Sequence, residues 1–214
     1  MRTTAIPKLS ICIATFKRGA FIDETLDSIL AQIEPGIEIV VVDGASPDNT
    51  PEVMAGFTRR HHEIRYFREM ENSGVDTDFD KSVGYALGEY CWLMTDDDLL
   101  RPGAVARVLS AVRTGVDLVV VNSEIRSADF SVLLEPRILK IESDVDYQAN
   151  HAERFFVETA NYFSFIGGVV VRRSVWLERD RASYYETLFV HVGVLFQRPL
   201  ENGVHVIANP LIVM

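Results

Sequence analysis

The sequence predicts an α/β fold in which helices flank a central, mostly parallel sheet, followed by a second half of mixed structure. Strand-like and helix-like segments alternate through the first 125 residues, which is typical of βαβ units. Two strand-like runs, residues 39–42 and 118–121, are continuously apolar, as in strands that are covered on both faces. With 214 residues, of which 48% are apolar, the chain can bury a sizeable core without disulfides.

The first half contains five predicted strands and four predicted helices. The strands fall at residues 9–14, 38–43, 64–67, 90–95 and 118–122, and the helices at 21–32, 50–60, 78–87 and 103–114. In the second helix, Thr50 is predicted as the N-cap with Pro51 at the first helical position. Gly115 suits the end of the fourth helix, where a left-handed residue often stands.

The second half does not continue the strict alternation. An extended pair is predicted at residues 131–141, an apolar run with Gly167 and Gly168 at 163–171, and a strand at 204–213. Helices are predicted at residues 148–160, 173–179 and 187–197. Because no repeat or linker interrupts the sequence, residues 1–214 are expected to form one domain, with halves at 1–125 and 126–214.

Charge and cysteine usage narrow the class of protein. With 21 Lys and Arg against 31 Asp and Glu, the net charge of −10 has the wrong sign for general binding to nucleic acid or anionic membranes. No apolar run approaches the roughly 18 residues of a membrane span, and no signal-peptide pattern is present. Cys12 and Cys91 lie in separate apolar runs, which indicates buried, reduced thiols and a cytoplasmic protein.

Polar residues follow three of the predicted strands. Thr15 ends the first, Asp43 ends the second, and Asp96, Asp97 and Asp98 follow the fourth. Ligands of open parallel sheets bind outside the carboxyl ends of the strands. Three successive carboxylates repel one another unless a cation is near, and hard oxygen ligands suit Mg²⁺ or Mn²⁺ held together with substrate phosphates. The alternative is a solvated acidic turn that caps the next helix.

Five motifs in this order resemble the family 2 glycosyltransferases, which have the Rossmann-like GT-A fold and use nucleotide-diphospho-sugars. Residues 13–18 resemble the family's P-T-Y-N-R opening, and residues 27–32 its S-[IL]-L-x-Q helix end. Residues 38–50 resemble E-I-I-V-V-D-D-G-S-T-D-N-T, and residues 71–74 with 88–90 resemble E-N-x-G … G-E-Y. The acidic triplet then falls at the family's D-x-D. The resemblance covers residues 9–100 with matching spacing and the remainder more loosely.

The resemblance implies a role for each acidic strand end. Thr15 and Asp43 would contact the base and ribose of the donor nucleotide, and Asp96 would face the ribose or diphosphate. Asp97 or Asp98 would ligate Mn²⁺ or Mg²⁺, and their register within the motif stays open because Thr95 can occupy its first position.

Several positions depart from the family pattern. Gly44 replaces the second Asp of the strand-two motif, and Phe79-Asp80 replace the family's Arg-Asn. Asp76 stands nearest the preceding loop, so it is the candidate for donor contact, with a solvated helix terminus as the alternative. The segment around Asp76, together with residues 91–94, is most similar to an abequosyltransferase-type branch of the family.

A general base is expected in the second half. The family places an acidic E-D pair at the start of a late helix, after a Gly-Gly strand that residues 165–173 resemble. His191 stands near that place, and its ordinary pKa close to 6.5 suits a base at neutral pH. A structural histidine is the competing interpretation, and Glu186 is the carboxylate fallback.

The expected function is therefore metal-dependent transfer of a sugar, with inversion, from a nucleotide-diphospho-sugar to a glycan or lipid-linked acceptor in cell-surface polysaccharide synthesis. Residues 1–125 would bind the nucleotide, residues 126–214 would face the acceptor, and residues outside this chain would associate with the inner face of the membrane. Two alternatives stay open. A glycosyltransferase-like binding subunit would explain the missing E-D pair, whereas a sugar nucleotidyltransferase would require a glycine cluster that residues 15–19 lack.

Overall fold

The computed structural model describes residues 6–214 and confirms the α/β class. The strands are β1 (Leu9–Thr15), β2 (Ile37–Asp43), β3 (Ile64–Arg68), β4 (Tyr90–Met94), β5 (Leu99–Leu100), β6 (Leu118–Arg126), β7 (Leu133–Glu135), β8 (Val145–Tyr147), β9 (Val169–Arg172) and β10 (Val204–Val213). The helices are α1 (Ile22–Leu30), α2 (Thr50–Arg60), α3 (Val75–Tyr85), α4 (Ala104–Val112), α5 (Ala152–Thr159), α6 (Arg173–Leu177) and α7 (Val190–Phe196).

The sheet runs in the order β3-β2-β1-β4-β9-β6-β10-β5. Its first four strands are parallel, as are β6 and β10, whereas β9 runs antiparallel between β4 and β6. The register pairs Thr15 with Asp43, so β1 and β2 end at the same edge, and β4 ends beside them. The predicted polar strand ends therefore lie along one edge of the sheet.

Helices cover both faces of the sheet. Residues of α1, α2 and α4 belong to one buried apolar cluster, and residues of α3, α5, α6 and α7 belong to the other. Alternate residues of β1 contribute to opposite clusters, since Ile11 and Ile13 join the first and Cys12 and Ala14 join the second. This two-sided burial explains why the central strands read as continuous apolar runs.

The structure differs from the sequence prediction in a few local features. Thr50 is the first residue of α2, and Asn49 is its N-cap. The extended pair predicted at residues 131–141 is reduced to β7, which pairs with β6. The chain around Gly167 forms short 3₁₀ turns before β9 begins. There the Trp92 indole N–H donates to the Gly167 carbonyl at 2.8 Å, which favours a turn rather than an extended strand.

Helix α3 begins earlier than expected, at Val75 rather than residue 78. Gly74 precedes it with φ of 86°, a left-handed conformation that glycine adopts at little cost. The earlier start places both Asp76 and Asp78 in the first turn of the helix, and both side chains are buried. Within residues 6–214, no helix is long and apolar enough to cross a bilayer.

Candidate functional site

A cavity of about 270 Å³ opens at the carboxyl ends of the parallel strands. Its walls come from the loop after β1, the loop before α3, the first turn of α3 and the segment after β4. The lining residues are Ala14, Thr15, Phe16, Arg18, Asn72, Gly74, Val75, Asp78 and Asp96. Of the residues predicted to contact the donor nucleotide, Thr15 and Asp96 line this cavity.

The loops at the cavity mouth are held in a defined conformation. Lys17 and Ala45, which follow β1 and β2, have φ of 60° and 61°, a region that residues other than glycine rarely adopt. The Lys17 amide donates to the Ser46 hydroxyl at 2.9 Å and ties the two loops together. Strained backbone of this kind is often found at functional sites.

The acidic triplet divides into two buried carboxylates and one that is half-exposed. Asp96 and Asp98 are 9% and 7% exposed, whereas the Asp97 side chain is 47% exposed. Arg18 lies 3.5 Å from Asp96 and 3.6 Å from Asp97 and compensates part of their charge. Asp98 accepts a short hydrogen bond from the Thr95 hydroxyl and forms no ion pair within residues 6–214.

Burial strongly perturbs these carboxyl groups. It raises the pKa of Asp98 to about 7 and that of Asp96 to about 6, and the neighbouring Asp97 charge acts in the same direction. A carboxylate that is desolvated without a cationic partner is ionised at a cost, and a bound cation would remove that cost.

The donor set fits a hard divalent cation. The triplet offers only carboxylate oxygens, which suit Mg²⁺ or Mn²⁺. Within the described part of the chain, no three His, Cys, Asp or Glu side chains converge on one point to form a complete cage. Magnesium sites commonly use one or two carboxylates together with substrate phosphates, so Asp97 and Asp98 are suitable candidates for such a shared site.

Thr15 lies at the base of the cavity. Its side chain is 3% exposed, and its hydroxyl has no hydrogen-bond partner in residues 6–214. The hydroxyl lowers the pKa of the neighbouring Asp96 carboxyl group, so Thr15 and Asp96 together form a polar part of the cavity wall.

The structure gives Asp43 a different environment from the one expected. It is fully buried, and it accepts hydrogen bonds from the Ser46 amide at 2.8 Å and the Tyr66 hydroxyl at 2.5 Å. Asp43 does not line the cavity. Its carboxylate shapes the loop after β2, and its two hydrogen bonds use one acceptor site on each oxygen.

Asp76 also has internal partners. Its carboxylate accepts the Leu188 amide at 2.7 Å and the Val190 amide at 3.1 Å, and it is 4% exposed. The side chain holds the entry to α7 and is not among the residues that line the cavity. Asp76 thus links the first turn of α3 to the second half of the chain.

The Asp76→Ala substitution removes two hydrogen bonds to a charged group, each worth about 1.5–3 kcal/mol, and is expected to reduce the free energy of unfolding by about 3–6 kcal/mol. The Asp76→Asn variant keeps one acceptor oxygen and should lose about half as much by the same principle. Urea denaturation of the three proteins measures the difference. Equal unfolding free energies in all three would show that Asp76 does not hold α7.

Asp78 was not singled out in the sequence, yet it is the α3 carboxylate that lines the cavity. It is 3% exposed, and the Ser73 hydroxyl donates to its Oδ1 at 2.8 Å. Burial raises its pKa above the ordinary value. The signal that could have found it is the glycine at position 44, which leaves space for a carboxylate from another element.

His191 lies in the first turn of α7 and is 1% exposed. Its Nε2 lies 2.8 Å from the Phe163 carbonyl, which can only accept, so Nε2 carries the proton. Nδ1 is then an acceptor, and it has no partner among the described residues. Burial lowers the pKa of His191 below its ordinary value of 6.5, so the ring is neutral at pH 7.

The segment before α7 is strained and exposed. Glu186 and Leu188 have φ of 66° and 67°. Leu188 and Phe189 are 67% and 45% exposed, although both are large and apolar. The Phe189 ring lies 6.3 Å from the His191 ring, measured between centroids, and Glu186 is solvent-exposed.

Comparisons with known proteins agree with this architecture. The family described as Glycosyl transferase family 2 matches residues 10–179. The chain is 27% identical over 218 residues to the abequosyltransferase RfbV of Salmonella typhimurium, covering 96% of this chain and 66% of that protein. It is 29% identical over 111 residues to a Campylobacter jejuni protein named GalNAc(5)-diNAcBac-PP-undecaprenol beta-1,3-glucosyltransferase, covering 51% of this chain and 36% of that protein. The chain thus spans between about one third and two thirds of these relatives.

Solved structures show the same fold. A TarS structure from S. aureus in complex with UDP superposes with a TM-score of 0.75 at 16% identity, covering 97% of this chain and 60% of that one. The mannosyltransferase PcManGT from Pyrobaculum calidifontis, in complex with GDP-Man and Mn²⁺, gives a TM-score of 0.61 at 18% identity, covering 97% of this chain and 58% of that one.

Proposed function

Because the chain belongs to glycosyl transferase family 2, we propose that it transfers a sugar from a nucleotide-diphospho-sugar to a glycan or lipid-linked acceptor in polysaccharide synthesis. The observation that carries the proposal is Asp98, a buried carboxylate without a basic partner in residues 6–214, which follows two residues after Asp96 on the wall of the strand-end cavity. Relatives named as sugar transferases and a structural neighbour solved with UDP-GlcNAc support this class of donor.

The cavity residues account for donor binding. Thr15 offers an unpaired hydroxyl to the nucleoside, and Arg18 offers a positive charge near the diphosphate. Asp97 and Asp98 would hold Mn²⁺ or Mg²⁺, with Asp96 facing the ribose or diphosphate. When bound, such a cation supplies positive charge that stabilises the departing diphosphate. It also explains how a protein with a net charge of −10 accepts an anionic donor.

The proposed reaction is a single displacement with inversion. A hydroxyl oxygen of the acceptor attacks the anomeric carbon, and the bond from that carbon to the diphosphate oxygen breaks. Nδ1 of His191 takes the hydroxyl proton as the new bond forms. Nδ1 suits this role because its lone pair is unpaired within residues 6–214 and the ring proton is held on Nε2 by the Phe163 carbonyl. Since His191 is buried, the exposed segment at residues 186–189 must open to admit the acceptor. Glu186 is the alternative base.

Residues 1–214 are proposed to form one domain. Residues 1–125 would bind the donor, and residues 126–214 would face the acceptor. A cytoplasmic location at the inner face of the membrane fits lipid-linked acceptors, with membrane contacts made by residues outside this chain.

A binding subunit without catalysis is the second candidate, favoured by a histidine where the family has a carboxylate pair. Hydrolysis of a nucleotide-sugar by the purified chain would exclude that candidate.

Divalent cations are expected to stabilise the protein more at pH 8 than at pH 5. The carboxyl groups with pKa values of about 7 and about 6 are protonated at pH 5, so protons compete with the cation there. At pH 8 both are ionised and available. Thermal unfolding with and without Mn²⁺ at each pH measures the shift in Tm.

The matched control is Asp98→Asn, which should lose most of the Mn²⁺ shift at pH 8. A shift of equal size at both pH values, retained in that variant, would place cation binding outside the acidic triplet.

A further inference from the structure

One carboxylate of the cavity is not explained by cation or diphosphate binding. Asp78 enters from the first turn of α3, and its Oδ1 is oriented by the Ser73 hydroxyl at 2.8 Å. Its Oδ2 accepts no hydrogen bond within residues 6–214. Lys81 is the cation beside it, and its Nζ lies 3.9 Å from Oδ1, while its shorter contact of 2.7 Å goes to Glu69.

Gly44 makes room for this carboxylate. A Cβ added at Gly44 would lie 2.6 Å from Oδ2 of Asp78, closer than real Cβ contacts, and 3.4 Å from the Asn72 amide oxygen. The two elements are therefore complementary: the end of β2 lacks a side chain at the point where α3 supplies an acidic one. Any larger residue at position 44 would displace the carboxylate from its present place.

The neighbouring walls suit a flat, apolar group. Phe16 and Val75 line the cavity and are 36% and 43% exposed, so they offer apolar surface to a ligand there. Thr15, whose buried hydroxyl is unpaired, lies on the same cavity. A flat ring between apolar walls, with polar groups at its edge, is the usual form of a nucleobase site.

The charge of Asp78 decides which part of the donor it can face. A carboxylate repels phosphate groups, so the diphosphate must lie elsewhere, near Arg18 and the cation site. The groups of the donor that can face Asp78 are therefore its neutral hydrogen-bond donors. The N–H groups on a base edge meet this requirement, and the apolar walls favour the base over the ribose.

We propose that Asp78 recognises N–H donors on the edge of the donor nucleobase, in space that Gly44 leaves open, and so determines which nucleotide the protein accepts. The inference rests on the proposed function, since it assumes a nucleotide donor. Burial raises the pKa of Asp78, although the Ser73 hydroxyl and Lys81 act in the opposite direction. A buried polar group left unpaired by the wrong base penalises that base, which is the physical origin of selectivity.

The test is calorimetric titration of ADP, GDP, CDP, UDP and dTDP, each with Mn²⁺, against the wild type and three variants. Asp78→Asn replaces an acceptor oxygen by an NH₂ donor at nearly constant size. We expect this variant to bind the nucleotide preferred by the wild type about 10- to 100-fold more weakly, as for loss of a good base contact. The order of affinities among the five nucleotides should also change. Gly44→Ala moves the carboxylate without changing it and should act in the same direction, which keeps the test valid if Asp78→Asn folds poorly.

Asp80→Asn is the matched control on the same helix. Asp80 bonds Trp176 and Tyr185 rather than the cavity, so this variant should lose thermal stability and keep the nucleotide order. An equal loss of affinity for all five nucleotides in Asp78→Asn and Gly44→Ala would indicate a ribose contact and overturn the inference. An unchanged order of affinities in both variants would also overturn it. If the wild type binds none of the five, the proposed function itself fails.

Discussion

Replacement of Asp98 by asparagine is expected to lower the turnover number by about 10³-fold. Charge stabilisation by a bound metal is worth several kcal/mol, and each 1.36 kcal/mol is a factor of ten in rate. The same variant should be more stable than the wild type at pH 8 without divalent cations. The folded-state pKa of about 7 lies above the ordinary value of 3.8, so ionising Asp98 costs stability as the pH rises from about 4 to about 7. Asparagine removes that cost.

Asp117→Asn is a control in which the expected change in stability has the opposite sign. Asp117 is also buried, but Arg172 lies 3.2 Å from its carboxylate, and it precedes β6 at the opposite edge of the sheet. This variant should lose stability and retain turnover. Steady-state kinetics and thermal unfolding at pH 5 and pH 8 measure both quantities. Wild-type turnover in Asp98→Asn would remove the acidic triplet from the reaction.

His191→Ala is expected to lower the turnover number by about 10²- to 10⁴-fold, the usual contribution of a positioned general base. Donor affinity should stay unchanged, because His191 does not line the donor cavity. Because burial lowers the pKa of His191, the turnover number of the wild type, plotted against pH, should decrease only below pH 6.5. The base acts when neutral, so activity is present above that pKa and is lost as the pH falls through it.

A structural histidine gives a different pattern. The ring donates to the Phe163 carbonyl, so its removal would lower Tm and leave the turnover number nearly intact at low temperature. Measuring kcat, donor Kd and Tm on one preparation separates the two cases. An intact kcat in His191→Ala would transfer the base role to Glu186, and Glu186→Ala then becomes the decisive variant.

The first half of the fold could be predicted from the sequence because its signals are local. Continuous apolar runs predict β2 and β6, and Pro51 marks the start of α2 to within one residue. The second half was less clear because its geometry depends on distant contacts. The turn at Gly167 is favoured by the indole of Trp92, 75 residues away, and nothing in the local pattern reveals this contact.

The site could be predicted only in part, for a geometric reason. Asp76 and Asp78 look equivalent in the sequence, but two residues on a helix differ in direction by roughly 200°. One carboxylate therefore faces α7 while the other faces the cavity. Helix α3 begins three residues earlier than expected, and its register determines which of the two carboxylates faces the cavity.

Asp43 and His191 show the same limit. The position of each in the chain was informative, because Asp43 ends β2 and His191 lies in the first turn of α7. Their partners were not visible, since the Tyr66 hydroxyl and the Phe163 carbonyl come from segments 23 and 28 residues away. Motif position identified the region of the site, and only the tertiary structure shows which atoms are free.

The strand-end cavity is proposed to bind and activate a nucleotide-diphospho-sugar with a divalent cation. The most direct measurement is release of nucleoside diphosphate from a panel of nucleotide-sugars by the purified chain, with Mn²⁺ and with excess chelator. We predict release from at least one donor with Mn²⁺, loss of that release with chelator, and loss in Asp98→Asn. Undiminished release in excess chelator, or no release from any donor that calorimetry shows to be bound, would contradict it.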